Sequence, residues 1–249
     1  MDKRRKYYVM LDTETCPLDK DFQGVTPFNM FVYDCGFAVV DKHGNVYEKY
    51  SFVVKDIFFG EKELMNSAYY ANKLPHYYED IKNGTRKVAT WYEIRNTLAK
   101  VMKEYNTKIV IAHNARFDDG ATKNTQRWLT KSKYRFFLPY NTEIWDTLKM
   151  ARDVIAPMST YKAFCEKHGY MTKHAKPRPQ LKAETIYKFI TADTDFVESH
   201  TGLEDVMIEK EIFRYCMAKH KKMAKGLYEK SALPPKRYYK RVSDRLKDW

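Results

Sequence analysis

The sequence contains no uninterrupted apolar stretch of about 18 residues, the length needed to cross a membrane. Its four cysteines are widely spaced and form no CxxC pair, so reduced thiols fit better than a disulfide framework. The basic N-terminus leads into an apolar run of only about six residues that ends in acids, which is too short for a secretory signal. These absences favour a cytoplasmic protein with no membrane partner.

Several catalytic signatures are missing as well. The chain has no GxxxxGK phosphate loop, no GxGxxG dinucleotide motif and no HExxH zinc motif. Cys165, His168 and His174 lie close together, but their spacing matches no closed four-ligand zinc site. A helix that carries surface histidines is the better interpretation of that segment.

What the sequence does contain is an excess of positive charge. The formal net charge is +13, and Lys219–Trp249 holds eleven lysines and arginines against three acids, a net of +8. Basic residues alternate there with aromatic ones, as in "PPKRYYKR". A run of charge is usually a solvated surface, but basic groups beside aromatic rings also suit a phosphate backbone with stacked bases. Nucleic acid is therefore the leading candidate partner.

Hydrophobic patterning predicts an α/β fold. Strands are predicted at residues 7–12, 33–41, 46–55, 108–112 and 143–145. Helices are predicted at about 61–80 and 90–105, from near Phe117, through most of 147–199, and from near Gly202 toward Lys222. The turn sequence "KHGN" makes a hairpin of the second and third strands. Three antiparallel strands, two further parallel strands and flanking helices form the predicted mixed sheet.

Two helix starts carry a recognisable cap. Thr90 precedes Glu93 by three residues, and Thr201 precedes Glu204 by the same spacing. Both pairs match the capping box, in which each side chain binds the backbone of the other residue. We expect this cap at both helices.

Acidic residues stand at the edges of three predicted elements. Asp12 ends the first predicted strand and Glu14 follows it, and Asp118 lies in the first turn of the helix after "KIVIA". Asp205 shares the apolar face of the last helix, where no lysine or arginine occurs before Lys219. A carboxylate that faces a core is costly unless a positive charge meets it, so a bound cation is the economical explanation.

Each of these signals alone has an ordinary structural explanation. A D-x-E pair at a strand end is more often surface decoration, His113 before a helix is more often a structural histidine, and Asp118 could simply favour the helix dipole. The combination of four acids with His200, five residues before Asp205, is harder to dismiss. Hard oxygen ligands favour Mg²⁺ or Mn²⁺ over zinc, and four acids suffice for two such ions.

The segments "LDTET", "AHNARFD" and "HTGLED", in this order, resemble the three exonuclease motifs of the DEDDh (DnaQ-like) 3′-to-5′ exonucleases. The resemblance covers about residues 7–220 and implies a ribonuclease H-like fold. It implies that Asp12, Glu14, Asp118 and Asp205 hold two ions and that His200 is the general base. The sequence as a whole resembles the stand-alone members of this family that bacteriophages carry. That resemblance implies that the protein is located in the cytoplasm of a bacterial host.

The resemblance also implies how the rest of the chain is used. An exonuclease domain would cover 1–222, with 223–249 as a basic, aromatic-rich appendage. Thr13 and Asn114, which lie in the motifs, are expected to contact the substrate. The aromatic content separately offers Phe28, Phe31 and Phe117 as rings near the site that could stack terminal bases.

Two functions are compatible with the sequence. The first is a metal-dependent exonuclease on the 3′ ends of single-stranded DNA or RNA, with DNA favoured. The second is a nucleic-acid-binding or polymerase-accessory (proofreading) module on the same fold, with a polymerase or replication complex as partner. An intact set of four acids and a histidine favours the first, because a degenerate module has no reason to retain buried charges that repel one another.

Overall fold

The computed structural model describes residues 2, 4–17, 29–66, 71–131 and 136–232. The predicted stacking residue Phe28 and most of the basic tail lie outside these residues. Among the described helices, none is both long enough and apolar enough to span a bilayer.

A six-stranded mixed sheet forms the centre of the fold. Its strands are β1 Tyr7–Pro17, β2 Met30–Asp41, β3 Val46–Val54, β4 Lys87–Ala89, β5 Ile109–Ala112 and β6 Glu143–Asp146. They lie in the order β4-β3-β2-β1-β5-β6. The pairs β1–β2 and β2–β3 are antiparallel, whereas β5 is parallel to β1, β6 to β5 and β4 to β3. The predicted fold class, a ribonuclease H-like mixed sheet, is confirmed, with the three-residue β4 as an additional strand.

Strand β1 is longer than its apolar run predicts. It pairs with β2 from Tyr7 through Pro17, with one irregularity between Glu14 and Thr15. Asp12 and Glu14 therefore lie inside the strand and not at its end, which corrects the prediction. The acids interrupt the hydrophobic pattern, but the ladder to β2 continues past them and satisfies their backbone groups.

Nine α-helices occur among the described residues, and most of them cover the two faces of the sheet. They are α1 Lys55–Phe58, α2 Lys62–Asn66, α3 Leu74–Asn83, α4 Trp91–Glu104, α5 Arg116–Thr130, α6 Thr147–Val154, α7 Ser159–Lys167, α8 Ala183–Thr191 and α9 Gly202–Ala218. A 3₁₀ turn, Ala71–Lys73, precedes α3.

The two predicted capping boxes have different outcomes. At α4 the box is present, since Thr90 and Glu93 each bind the backbone of the other. At α9 the prediction is wrong, because the Thr201 hydroxyl donates to the Glu204 carboxylate and accepts no backbone N–H. The amide of Gly202 instead donates to Asp34 on β2, so a tertiary contact replaces the local cap.

The sheet is buried on both faces. Along β1, Val9 and Leu11 point into a core cluster shared with α1 to α5. Tyr8 and Met10 point into a second cluster shared with α6 to α9. Because side chains alternate along a strand, Asp12 continues the side of β1 that faces α9.

The described part of the C-terminal segment packs on the sheet edge. Leu227 donates its amide to the Ile144 carbonyl at 2.8 Å, which adds a short pairing to β6. The buried carboxylate of Asp153 accepts the amides of Ala224 and Ala232 at 2.8 and 2.9 Å. Residues up to 232 are thus held against β6 and α6, and the domain boundary at 222 stays a prediction.

Candidate active site

The site is built where α9 begins above strands β1 and β2. Asp34 on β2 lies opposite Glu14, and Gly36 lies opposite Asp12. A Cβ on Gly36 would come within 2.2 Å of the amide nitrogen of Leu203, so only glycine allows the start of α9 to lie this close. This contact brings the last helix onto the part of the sheet that carries the two acids.

Helix α9 and the residues before it supply the facing groups. Ligand atoms of Glu14, His200 and Asp205 all lie within 4.8 Å of one another. Among the described residues, this is the one group of three or more His, Cys, Asp or Glu side chains close enough to share an ion. Asp205 is buried, whereas His200 is half-buried.

Asp118 reaches the same region from α5. Its side chain is buried, and its Oδ1 accepts a hydrogen bond from the Thr13 hydroxyl at 2.7 Å. Thr13 lies between Asp12 and Glu14, so this bond ties the first turn of α5 to the acidic stretch of β1. Burial raises the pKa of Asp118 to about 7, with a further contribution from the charge of Asp146 and against the hydrogen bonds from Thr13.

The other three acids have raised pKa values for the same physical reason. Burial is the largest cause at Asp12 and Glu14, and the charge of Asp118 raises both pKa values further. Burial and then the charges of Glu198 and Glu14 raise the pKa of Asp205 to about 9. Each acid disfavours the ionisation of its neighbours, as expected where carboxylates share a small volume.

The acids fit a divalent cation. The Oδ2 of Asp12 and the Oδ1 of Asp205 are buried without a hydrogen-bond partner among the described residues. Buried carboxylate oxygens are costly when left unpaired, and hard oxygen donors are the ligands that Mg²⁺ and Mn²⁺ prefer. These residues therefore have the donor atoms that a divalent cation requires.

His200 adopts an uncommon backbone conformation beside the acids. Its φ is 54°, in the left-handed region that few non-glycine residues occupy. Its Nδ1 lies 3.7 Å from the Oε2 of Glu198. Burial lowers the pKa of His200, and the charge of Lys73 lowers it further, so the neutral imidazole is favoured at neutral pH.

Three acids of this region were missed by the sequence reasoning, namely Asp34, Glu198 and Glu209. Glu209 is buried, and its Oε2 accepts the amide of His113 at 3.1 Å. Burial raises its pKa well above the ordinary value, followed by the charges of Asp12, Asp118 and Asp205. Its position four residues after Asp205 on the same helix was a usable signal.

Solved structures of similar fold are known. A 3′-exonuclease that recognises the 3′ end of the histone mRNA stem-loop superposes with a TM-score of 0.56, at 13% identity over 94% of each chain. The nuclease domain of 3′hExo, a DEDDh family member bound to rAMP, gives a TM-score of 0.52 at 14% identity over 93% of this chain and 100% of that one. The chain has the fold of DEDDh exonuclease domains.

A larger enzyme contains the same fold. The zinc-bound form of the E. coli exonuclease I complex with single-stranded DNA gives a TM-score of 0.51 at 13% identity, covering 87% of this chain and 41% of that one. No protein-family model and no curated protein sequence matches the chain.

The predicted substrate residues have different surroundings in this DEDDh fold. Thr13 is buried against Asp118, while Asn114 is exposed and its backbone N–H donates a hydrogen bond to Asp146 Oδ1 at 3.0 Å. Phe117 is half-buried against the first core cluster. Phe31 is only 1% exposed, and its ring lies 5.1 Å from that of Trp128, which is 50% exposed. In this conformation Trp128, and not Phe31, is the accessible ring.

His113 has the structural role that its position favours. Its Nδ1 lies 2.9 Å from the Thr147 hydroxyl and its Nε2 lies 2.8 Å from the Leu181 carbonyl. Burial is the largest influence on its pKa, which is lowered. The ring therefore connects the end of β5 to α6 and to the loop before α8.

Proposed function

We propose that the chain is a metal-dependent 3′-to-5′ exonuclease that hydrolyses phosphodiester bonds at the 3′ end of single-stranded nucleic acid, with DNA favoured over RNA. The observation that carries the proposal is the group of Glu14, His200 and Asp205, whose ligand atoms all lie within 4.8 Å of one another. The half-buried Asp12 and the buried Asp118 act on this group through their charges. Asp12 and Asp205 each hold a buried oxygen that has no hydrogen-bond partner in the part of the chain that the structure describes. The DEDDh fold supports the same reading, although fold alone does not determine chemistry.

The four acids would hold two divalent ions, Mg²⁺ or Mn²⁺. When bound, two such ions supply charge neutralisation at the phosphate and stabilise the attacking and leaving oxygens. The protein's contribution is to keep the carboxylates fixed before substrate arrives. The Thr13 hydroxyl holds Asp118, and the close packing of α9 on Gly36 holds Asp205 near Glu14.

His200 is proposed as the general base. Its neutral form is favoured at neutral pH, because burial and the charge of Lys73 lower its pKa. A neutral imidazole within 4.8 Å of ligand atoms of Glu14 and Asp205 could accept the proton of the attacking water. The unusual φ at His200 is consistent with strain kept at a functional position.

Positive charge beside His200 supports a polyanionic substrate. Lys73 donates a hydrogen bond to the Ser199 carbonyl, and the charges of both Lys73 and Lys182 act on His200. Ammonium groups at this place would neutralise phosphates of the bound strand. A proofreading role beside a polymerase stays a prediction from the resemblance alone.

The test is the release of mononucleotides from labelled oligonucleotides. Single-stranded DNA and RNA, labelled at the 3′ or the 5′ end, are incubated with Mg²⁺, with Mn²⁺ and with EDTA. We expect the 3′ label to be released first, only with metal, and the 5′ label to shift through a ladder of shorter products. Asp205→Asn should abolish release, whereas the exposed His76→Ala serves as a control.

Two outcomes would contradict the proposal. Tight binding of the oligonucleotide without any metal-dependent cleavage would favour the nucleic-acid-binding module. Release of the 5′ label first would refute the proposed direction.

A further inference from the structure

A buried hydrogen-bond cluster lies directly behind the acidic site and has no assigned role. Its centre is Asp34 on β2, which is fully buried. The Oδ2 of Asp34 accepts three hydrogen bonds, from the Tyr77 hydroxyl at 2.8 Å, from Arg86 Nη1 at 2.8 Å and from the amide of Gly202 at 3.0 Å. One carboxylate oxygen thus connects β2, α3, the residue before β4 and the start of α9.

The position of Gly202 gives this cluster a consequence for the site. Gly202 is the first residue of α9, two residues after His200 and three before Asp205. A Cβ on Gly202 would lie 2.7 Å from the Gly36 amide and 3.2 Å from the Asp12 carbonyl, so the helix start touches the strand that carries the first acid. Any shift of Gly202 would move His200 and Asp205 together.

Arg86 makes a second connection to the same helix. Its Nη2 lies 3.4 Å from the Oε2 of Glu204, while its Nη1 binds Asp34. The guanidinium is buried and lies over the Tyr77 ring, with 4.4 Å between Cζ and the ring centroid. A planar guanidinium stacked on an aromatic ring has little rotational freedom, so Arg86 keeps the Asp34 carboxylate in one orientation.

Asp34 is also placed beside the metal acids. It lies opposite Glu14 in the antiparallel pair, where facing side chains share one face of the sheet. Groups that orient the ligands of a metal typically change metal affinity or activity by about 10–100-fold when removed. Resting on the proposed function, we infer that Asp34, held by Arg86 and Tyr77, is a positioning residue that anchors the start of α9 and so sets Asp205 and His200 against Asp12 and Glu14.

The main test is Asp34→Asn, which keeps the shape of the side chain and removes the charge that gathers three donors. We expect kcat on a single-stranded oligonucleotide to fall about 10–100-fold, with a similar rise in the Mn²⁺ dissociation constant measured by thermal shift. KM should change little, because Asp34 is buried and touches no substrate. In the metal-free protein, amide hydrogen exchange at residues 200–210 should become faster.

Asp80→Asn is the matched control. It removes a carboxylate from the same arginine, since Asp80 lies 3.4 Å from Arg86 Nη2, but the Asp80 side chain is 41% exposed, and the Gly202 amide at the start of α9 binds Asp34. Exposed pairs contribute little, so we expect kcat and Mn²⁺ affinity to change by less than about twofold.

A milder variant keeps the inference testable if Asp34→Asn does not fold. Tyr77→Phe removes one donor to Asp34 and retains the ring beneath Arg86. It should lower Mn²⁺ affinity and kcat and speed up amide hydrogen exchange, as Asp34→Asn does, but by smaller amounts.

The inference is overturned if folded variants melt at lower temperature but keep the wild-type kcat and Mn²⁺ dissociation constant, because Asp34 would then be a purely structural residue. Wild-type protein in the same assay separates this failure from that of the proposed function. An inactive wild type refutes the exonuclease, while the Mn²⁺ and exchange measurements still decide on Asp34.

Discussion

Neutralising Asp118 should stabilise the metal-free protein while abolishing catalysis. Asp118 is 5% exposed and accepts the Thr13 hydroxyl at 2.7 Å. In Asp118→Asn the amide oxygen can accept the same bond, so the substitution removes the charge with little change of shape. Because burial raises the pKa of this carboxyl to about 7, keeping it ionised in the folded protein costs free energy.

The size and the sign of the effect follow from that pKa. The ordinary value is 3.8 and the folded value is about 7, a difference of about three pH units, or about 4 kcal/mol at 1.36 kcal/mol per unit. A carboxyl whose pKa is higher in the folded than in the unfolded protein does not destabilise the fold below pH 3.8, because it is protonated in both states. The folded state then loses stability between about pH 4 and pH 7, and the full loss persists above pH 7.

Urea unfolding in EDTA at pH 4.5 and at pH 8 measures this difference. We expect the free energy of unfolding of Asp118→Asn to exceed that of the wild type by a few kcal/mol at pH 8 and by much less at pH 4.5. Asp119→Asn is the matched control, because the neighbouring Asp119 is paired with Lys123 at 2.6 Å. It should show no such gain.

Metal addition should reduce the difference in the free energy of unfolding between the two proteins. Mn²⁺ at a hundredfold its dissociation constant stabilises the wild type by about 2.7 kcal/mol, and the variant should gain much less. A wild type whose unfolding is indifferent to Mn²⁺, together with a variant no more stable at pH 8, would refute the reasoning.

Three further predictions concern other parts of the chain. His200→Ala should lower the turnover number by about two to four orders of magnitude, with Mn²⁺ affinity nearly unchanged, and equal rates across pH 6–9 would exclude the general base. Asp153→Ala should lower the free energy of unfolding by about 2–4 kcal/mol, because the amides of Ala224 and Ala232 lose a charged acceptor; unchanged urea midpoints would contradict this. Truncation after Ala232 should flatten the salt dependence of binding to long single strands and spare activity on a dinucleotide, since fewer counterions are released.

Much of the fold was predictable because its signals are local. The alternating strands, the "KHGN" turn and the Thr90–Glu93 cap act over at most a few residues, and each is present in the structure. Asp12 and Asp205 could be picked out for the same reason, since each interrupts a hydrophobic pattern, whereas Asp118 stood out by its place in the first turn of a helix that follows an apolar strand.

Other features depended on partners that are distant in sequence. The cap of α9 comes from Asp34, 168 residues before Gly202, and replaces the predicted Thr201–Glu204 box. Phe31 has the composition of a stacking residue, yet the neighbouring ring of Trp128 and the core leave it almost no exposed surface. No local pattern distinguishes such a phenylalanine from an accessible one.

The sequence by itself determined which side chains can hold a metal and accept a proton, because residue type decides charge, donor atoms and ordinary pKa. The tertiary structure alone decided how they meet. The register of β1 on β2 places Asp34 beside Glu14 and Gly36 beside Asp12. Because Gly36 has no side chain, α9 can pack directly on the sheet at this point. Burial then raises the pKa values of the acids, and this burial exists only when several distant segments pack together.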